Sequence, residues 1–415
     1  MTRNTKGPLF EKRKRVVLAS TAAAILLAVV GCSGQGAASG GDTINIGLPH
    51  PLTGAWADGG QNALNGAMLA IEDINAAGGI KSLDGQQLEG ILADTSSDDP
   101  GQAATVTRRL IEQDNVSALI GSYVSAFTMT ASTEAEKAGV PILSQSYSDT
   151  LTQRDYNYFF QLPPTATSLG ESIVPYVQDA YAEIGIILQK VSVLASDDAS
   201  IEAQGRAAIA QAESVGLDVV SQAFYPQALS DATGIVLEAM RAEPDVIFLG
   251  GPTAAAVTIV DTLRNLDYTG PIVGLGGGGI LTPAFGTMLG DNVDGILSQA
   301  AWNWDMPYDG LEDISKRYAT KYDTAFMPQE AGESYVAAWI LAGAIEEAAS
   351  SDPEKIAEVL RNKDFTKGPA SLMPAGAVSF DPNGMNQDVY PIMIQWQGGV
   401  TRTVWPLDVQ AIKPQ

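Results

Sequence analysis

The chain holds one cysteine, Cys32, and one histidine, His50, so the chemistry open to it is narrow. No intramolecular disulfide can form, and a Cys/His metal cluster lacks ligands. Nucleophilic catalysis by a Cys–His pair would require these two residues to meet. Hydroxyls are plentiful, but acyl transfer needs a base, His50 is the only imidazole, and no G-x-S-x-G turn occurs. Asp98-Asp99 and Asp197-Asp198 are adjacent pairs; neighbours in sequence do not converge on one substrate atom, so they read as helix caps or solvated loops. The run Gly274-Leu-Gly-Gly-Gly-Gly279 fits G-x-G-x-x-G, yet it follows the last strand of the second βαβ set, with Pro283 close behind. A phosphate cradle belongs in the first unit. The run reads as a flexible strand-end loop near a cleft. Neither a metal nor a cofactor is expected.

The more suggestive residues are hydroxyls at strand ends. Gly121-Ser-Tyr-Val-Ser-Ala126 follows one apolar run and Ser144-Gln-Ser-Tyr-Ser148 the next. Ligands of open α/β sheets bind outside the carboxyl ends of strands, near helix N-termini, where hydroxyls and free N–H groups suit a carboxylate or amide. Ser125 and Ser148 also fit helix N-caps. His50, in Leu48-Pro-His-Pro-Leu52, sits just past the first strand, as a ligand contact or as a loop histidine bonded to backbone. Trp56 and Gly276 are further cleft candidates.

These residues need elements to carry them, and the elements begin beyond a leader. Residues 1–31 contain six of the 24 basic side chains and one of the 48 acidic ones, leaving a body of net charge −29. Such a body repels nucleic acid, which is excluded as a partner. Lys12–Arg15 precede the small and apolar run Val16–Val30, which has the form of a secretory signal and is short of the ~20 residues that span a membrane. The ending Val29-Val30-Gly31-Cys32 resembles the bacterial lipobox, with Val30 bulkier than usual. That likeness implies a lipidated Cys32 as the new N-terminus, each buried CH₂ contributing ~0.8 kcal/mol to anchoring. Residues 32–42 form a Gly/Ser/Ala tether.

From Thr43, short apolar runs alternate with helical periodicity, the pattern of parallel α/β sheets. Strands are expected at 43–48, 88–93, 116–120 and 140–143, then at 191–195, 217–221, 246–249 and 272–275. Helices are expected at about 60–77, 100–113 and 126–138, with Gly78-Gly79 closing the first. Two such sets, separated near Pro163-Pro164, predict two lobes. Beyond them, 310–326 and 333–349 read as helices, and 378–380, 389–395 and 400–404 as closing strands.

Gly47-Leu-Pro-His-Pro-Leu-Thr-Gly54, Asn65-Gly-Ala-Met-Leu-Ala-Ile-Glu-Asp-Ile-Asn-Ala-Ala-Gly-Gly-Ile80, Asp98-Asp-Pro100, Leu151-Thr-Gln-Arg154, Ser379-Phe-Asp-Pro-Asn-Gly384 and the segment 392–399 resemble the leucine/isoleucine/valine-binding family of solute receptors. The resemblance spans Thr43 to the C-terminus. It implies an α/β class I periplasmic-binding fold: two doubly wound parallel-sheet lobes joined by three crossovers, lobe I from 43–162 and 303–372, lobe II from 163–302 and 373–415. It also implies a small-molecule ligand (an amino acid, amide or small carboxylate) captured by hinge closure, and ABC permease subunits as partners, on the extracytoplasmic face of a bacterial membrane. Ser125, Ser146 and Ser148 match the positions that hold the ligand's α-carboxylate and amino group, with Tyr147 between them. Lobe II departs from the pattern: Ser200 and Pro252 stand at aromatic positions, and Gly276 where an acid would meet an α-ammonium. A ligand without a free α-amino group fits that departure. A sensory receptor that signals without transport shares the fold; an α/β enzyme lacks the residues.

Overall fold

The computed structural model describes residues 43–96, 99–183, 187–407 and 409–414 of the 415-residue chain. The leader, Cys32, the tether and Asp98 lie outside them. Chain order in the first half is β1 (Ile44–His50), α1 (Ala57–Ala76), β2 (Leu88–Asp94), α2 (Pro100–Glu112), β3 (Ala118–Ile120), α3 (Ser125–Ala138), β4 (Ile142–Ser144) and β5 (Phe159–Gln161). These strands form a five-stranded, all-parallel sheet ordered β2-β1-β3-β4-β5. Helices cover a parallel sheet on both faces, which is why β1 and β3 are buried apolar runs and not alternating ones.

The second half runs α4 (Ala166–Glu183), β6 (Lys190–Ser196), α5 (Ala199–Ser214), β7 (Asp218–Tyr225), α6 (Thr233–Arg241), β8 (Val246–Gly250), α7 (Thr253–Asn265), β9 (Ile272–Gly274), α8 (Pro283–Leu289) and β10 (Leu297–Ala300). After β10 the chain returns to the first lobe as α9 (Leu311–Tyr322), α10 (Gln329–Ala348) and α11 (Pro353–Asn362), and α10 packs along α1. It then crosses back to add a hairpin, β11 (Ile392–Gln397) antiparallel to β10 and β12 (Val400–Trp405) antiparallel to β11, to the second sheet, whose order is β12-β11-β10-β9-β8-β6-β7. Three crossovers therefore join two lobes.

Local chemistry sets the helix ends. Asp99 caps α2, accepting from Gly101 N–H with Pro100 in the first turn, and Asp198 caps α5, accepting from the N–H groups of Ser200 and Ile201. Gly78 and Gly79, both at positive φ, close α1. Helix α10 is buried on nearly every side, in keeping with its all-round apolar sequence.

Several expected elements differ. Strand β5 and strand β10 went unpredicted: three and four residues ending in or containing glutamine carry no usable period. Residues 378–380 make single bridges, Val378 to Phe365 and Phe380 to Asn386, and no strand. The glycine run follows β9, but β10–β12 come later in the same sheet, so β9 is not its last strand. Helix α10 starts four residues before the expected Glu333 and takes in Gln329 and Glu330.

Helices α1 and α10 meet closely at Gly66 of α1. A Cβ there would lie 2.0 Å from the Ala331 carbonyl oxygen of α10. Gly66→Ala is expected to push the two helices apart and cost about 2 kcal/mol, read as a lower thermal midpoint. An unchanged midpoint would show that the helices do not meet there.

Candidate functional site: the cleft between the lobes

The N-terminus of α3 has no side-chain cap: its N-cap residue is Val124. The first-turn N–H groups and the positive end of the helix dipole are thus left facing outward. Ser125 begins that helix, and its Oγ accepts from the N–H groups of Tyr147 (3.3 Å) and Ser148 (3.2 Å), drawing the two strand-end loops together. Ser148 Oγ lies 3.0 Å from Thr150 Oγ1.

Ser146 belongs elsewhere. Its Oγ donates to the Ser122 carbonyl oxygen (2.8 Å) and lies 2.6 Å from Thr128 Oγ1, fully buried inside the lobe. An extended loop alternates its side chains, so Ser146 braces from behind while its neighbours face the other way.

The opposite wall comes from the second sheet. A cavity of about 260 Å³ is lined by Val124, Ser125 and Ala126 on one side and by Asp197, Asp198 and Gln227 on the other. Asp198 accepts from Ser196 Oγ and from Ser200 through both N–H and Oγ. Burial raises its pKa against these bonds. Ser200 is therefore held by Asp198 in the first turn of α5, next to Ala199, which lines the cavity where Ser200 does not. Asp197 and Asp198, which the sequence suggested as a cap or solvated loop, supply both a cap and a cavity wall.

Trp56 spans the lobes: its Nε1 donates to Gln227 Oε1 at 2.8 Å, and its ring meets Tyr123 edge-on at 6.0 Å. Gly276 offers its carbonyl to Gln204 Nε2 (2.7 Å), and the next residue, Gly277, lies under the Tyr147 ring, where a Cβ would come within 2.7 Å of Cε2. The glycine run is thus a tightly packed seam and not an open loop.

His50 does not fit the loop histidine bonded to backbone. It is the last residue of β1, fully buried, with no partner for either ring nitrogen among the described residues. Burial pulls its pKa down to about 3, so the ring stays neutral. The larger depressions, about 950 and 650 Å³, lie on the outer side of the first lobe against α1, α10 and residues 366–369, away from these groups.

Sequence reasoning missed the buried acids Glu330 and Glu333. Glu333 Oε1 accepts from Tyr147 Oη at 3.1 Å, and Tyr147 Oη accepts from Gln329 Nε2 at 2.6 Å. Burial pushes Glu330 up to about 7 and Glu333 well up, the second helped by its neighbour. Two glutamates one turn apart, just ahead of the apolar stretch Tyr335–Ile345 of one helix, were the available signal.

Two lobes, three crossovers and a polar cavity between strand ends define a hinged receptor for a small solute. The chain belongs to the periplasmic binding protein family, which it matches over residues 43–399. It is 28% identical over 380 residues to the Leu/Ile/Val-binding protein homolog 8 of Brucella melitensis, covering 88% of this chain and 90% of that one. Among solved structures, the branched-chain amino acid transporter substrate binding protein LivJ from Streptococcus pneumoniae, in complex with isoleucine, superposes with a TM-score of 0.76 at 27% identity, covering 88% of this chain and all of that one. The leucine binding protein LivK from Thermotoga maritima gives a TM-score of 0.74 at 23% identity over 88% and 98% of the two chains, which bears on the fold. Among the described residues, no helix is long and apolar enough to cross a membrane.

The two buried titrating groups bend stability in opposite directions. Glu330 has a raised pKa in the folded state, so its contribution is full below 4.5 and is lost as pH rises through about 7. Glu330→Gln is expected to gain on the parent by up to about 1.4 kcal/mol per pH unit across that window in chemical denaturation. His50, depressed from 6.5 to about 3, costs stability as pH falls between those values, and His50→Gln is expected to flatten that loss. Parallel curves for parent and variant would refute either assignment.

Proposed function

We propose that this chain is the extracytoplasmic solute-binding subunit of an ABC importer, held to the membrane through lipidated Cys32. It captures an amino acid or a related small carboxylate or amide as lobe I (43–162 and 303–372) closes on lobe II (163–302 and 373–415). One observation carries this reading: Ser125 Oγ and the N–H groups of Tyr147 and Ser148 converge at the uncapped start of α3, on the wall of the interlobe cavity. A ligand carboxylate takes those two N–H groups in place of Ser125 Oγ, which then donates its own proton, while the helix N-terminus stabilises the charge. The isoleucine bound by the Streptococcus pneumoniae relative carries such a carboxylate.

Asp198 faces the same cavity from the other lobe and takes over the α-ammonium, the partner for which Gly276 has no side chain. Ligand bridging Ser125 and Asp198 favours the closed state by its differential contacts, with Trp56–Gln227 as the latch. The closed form is what the permease reads.

With protein lacking residues 1–32, a thermal-shift screen of amino acids, amides and small carboxylates is expected to return ligands that raise the midpoint. Ser125→Ala is expected to weaken them by about tenfold, a loss of ~1.4 kcal/mol. No shift across the screen would refute solute capture. In cells, labelled palmitate is expected in the full chain and absent from Cys32→Ala.

A further inference from the structure

Behind the carboxylate grip lies a buried acidic and aromatic cluster. Glu330 and Glu333 lie one turn apart on α10, and each is 1% exposed. Both oxygens of Glu330 and Oε2 of Glu333 have no hydrogen-bond partner among the described residues. The charges acting on the buried Tyr123 hydroxyl are Glu330, Asp198, Asp58 and Glu333, and those on Tyr147 are Glu333, Glu330 and Tyr123: no cation is among them. No lysine or arginine among the described residues pairs with Asp198, Glu330 or Glu333; the ion pairs that form lie on other acids.

Burying carboxylates without a cation is costly, and a purely structural role is served as well by glutamine or leucine. Nearby stand the rings of Trp56, Tyr123 and Tyr147, each at most 4% exposed, and ring faces attract cations. Tyr147 also measures the distance between the two sites. Its backbone N–H belongs to the carboxylate grip, and its hydroxyl touches Glu333.

We propose that Glu333 and Glu330, with the rings of Tyr147 and Tyr123, form a subsite for an organic cation, so that the preferred ligand is an amino acid with a positively charged side chain. This rests on the amino-acid reading above. A side chain running beside Tyr147 from the grip to Glu333 has the reach of lysine or arginine, whereas leucine and isoleucine leave both acids unpaired.

Isothermal titration of protein lacking residues 1–32 with L-lysine, L-arginine, L-norleucine, L-leucine and cadaverine tests this. Norleucine keeps the lysine stem and carboxylate without the ammonium, and cadaverine keeps the stem with ammonium groups and no carboxylate. Lysine or arginine is expected to bind at least about tenfold tighter than norleucine. Glu333→Gln is expected to collapse that ratio, weakening lysine while leaving norleucine nearly unchanged. The ranking on the parent protein needs no variant, so a Glu333→Gln chain that fails to fold leaves the test intact. Tighter binding of leucine or norleucine would overturn the subsite and leave amino-acid capture standing. Binding of cadaverine alone would uphold the subsite and overturn the carboxylate grip, and no binding by any of the five overturns the subsite together with the reading beneath it.

Discussion

The side chain of Gln329 ties together the parts that have to move and the part that has to hold ligand. Its Oε1 accepts from the N–H groups of Ala301 (2.5 Å) and Trp302 (3.3 Å), where the chain leaves the seven-stranded sheet, and its Nε2 donates to Tyr147 Oη. One amide thus anchors the second crossover to the head of α10 and to the ligand loop. Trp302 adds packing to the same place, stacked on Gly332 with its Nε1 donating to the Leu372 carbonyl oxygen at 2.7 Å. The other two crossovers are tied to each other: Gln161 N–H donates to the Gly384 carbonyl oxygen (2.7 Å), and Asn386 Nδ2 to that of Leu162 (3.0 Å). Hydrogen bonds between neighbouring crossovers let the strands bend as a set while keeping the lobes in register, which is what hinge closure requires.

The same network makes the buried cluster beneath Tyr147 sensitive to charge. Tyr147 reports to Gln329 on one side and to Glu333 on the other, so a charge placed near Glu333 acts on a residue in contact with the hinge. A low local dielectric strengthens such a chain when its members are paired and penalises it when they are not. The exposed ion pairs, such as Arg317 with Asp73 across α9 and α1, are solvent-screened and contribute little by comparison.

Much of the architecture was legible in the chain. The periodic stretches that became β1, α1, β2 and α2 declared themselves because a buried strand and an amphipathic helix each repeat the same local pattern several times. Strands β5 and β10 were not legible, since Phe159–Gln161 and Leu297–Ala300 are strands by virtue of their neighbours. Within the loop after β4, residue types alone could not separate Ser146 from Ser148. Tertiary contacts decide it: Ser146 packs on Ser122 and Thr128 inside the lobe, while Ser148, at the start of the next turn, meets Thr150.

Residue order alone determined the two-lobed α/β class, the acidic body, the poverty of catalytic groups and the hydroxyl-rich strand ends, because each is a property of composition or short-range spacing. Tertiary structure decided which of those hydroxyls meet, that Asp198 stands across from Ser125, that His50 is sealed inside β1's lobe, and that Glu330 and Glu333 lie beneath Tyr147. Residues 147 and 333 are far apart in the chain, and contact between them exists only after the third stretch of chain has folded back on the first. No local pattern encodes a meeting that depends on a crossover.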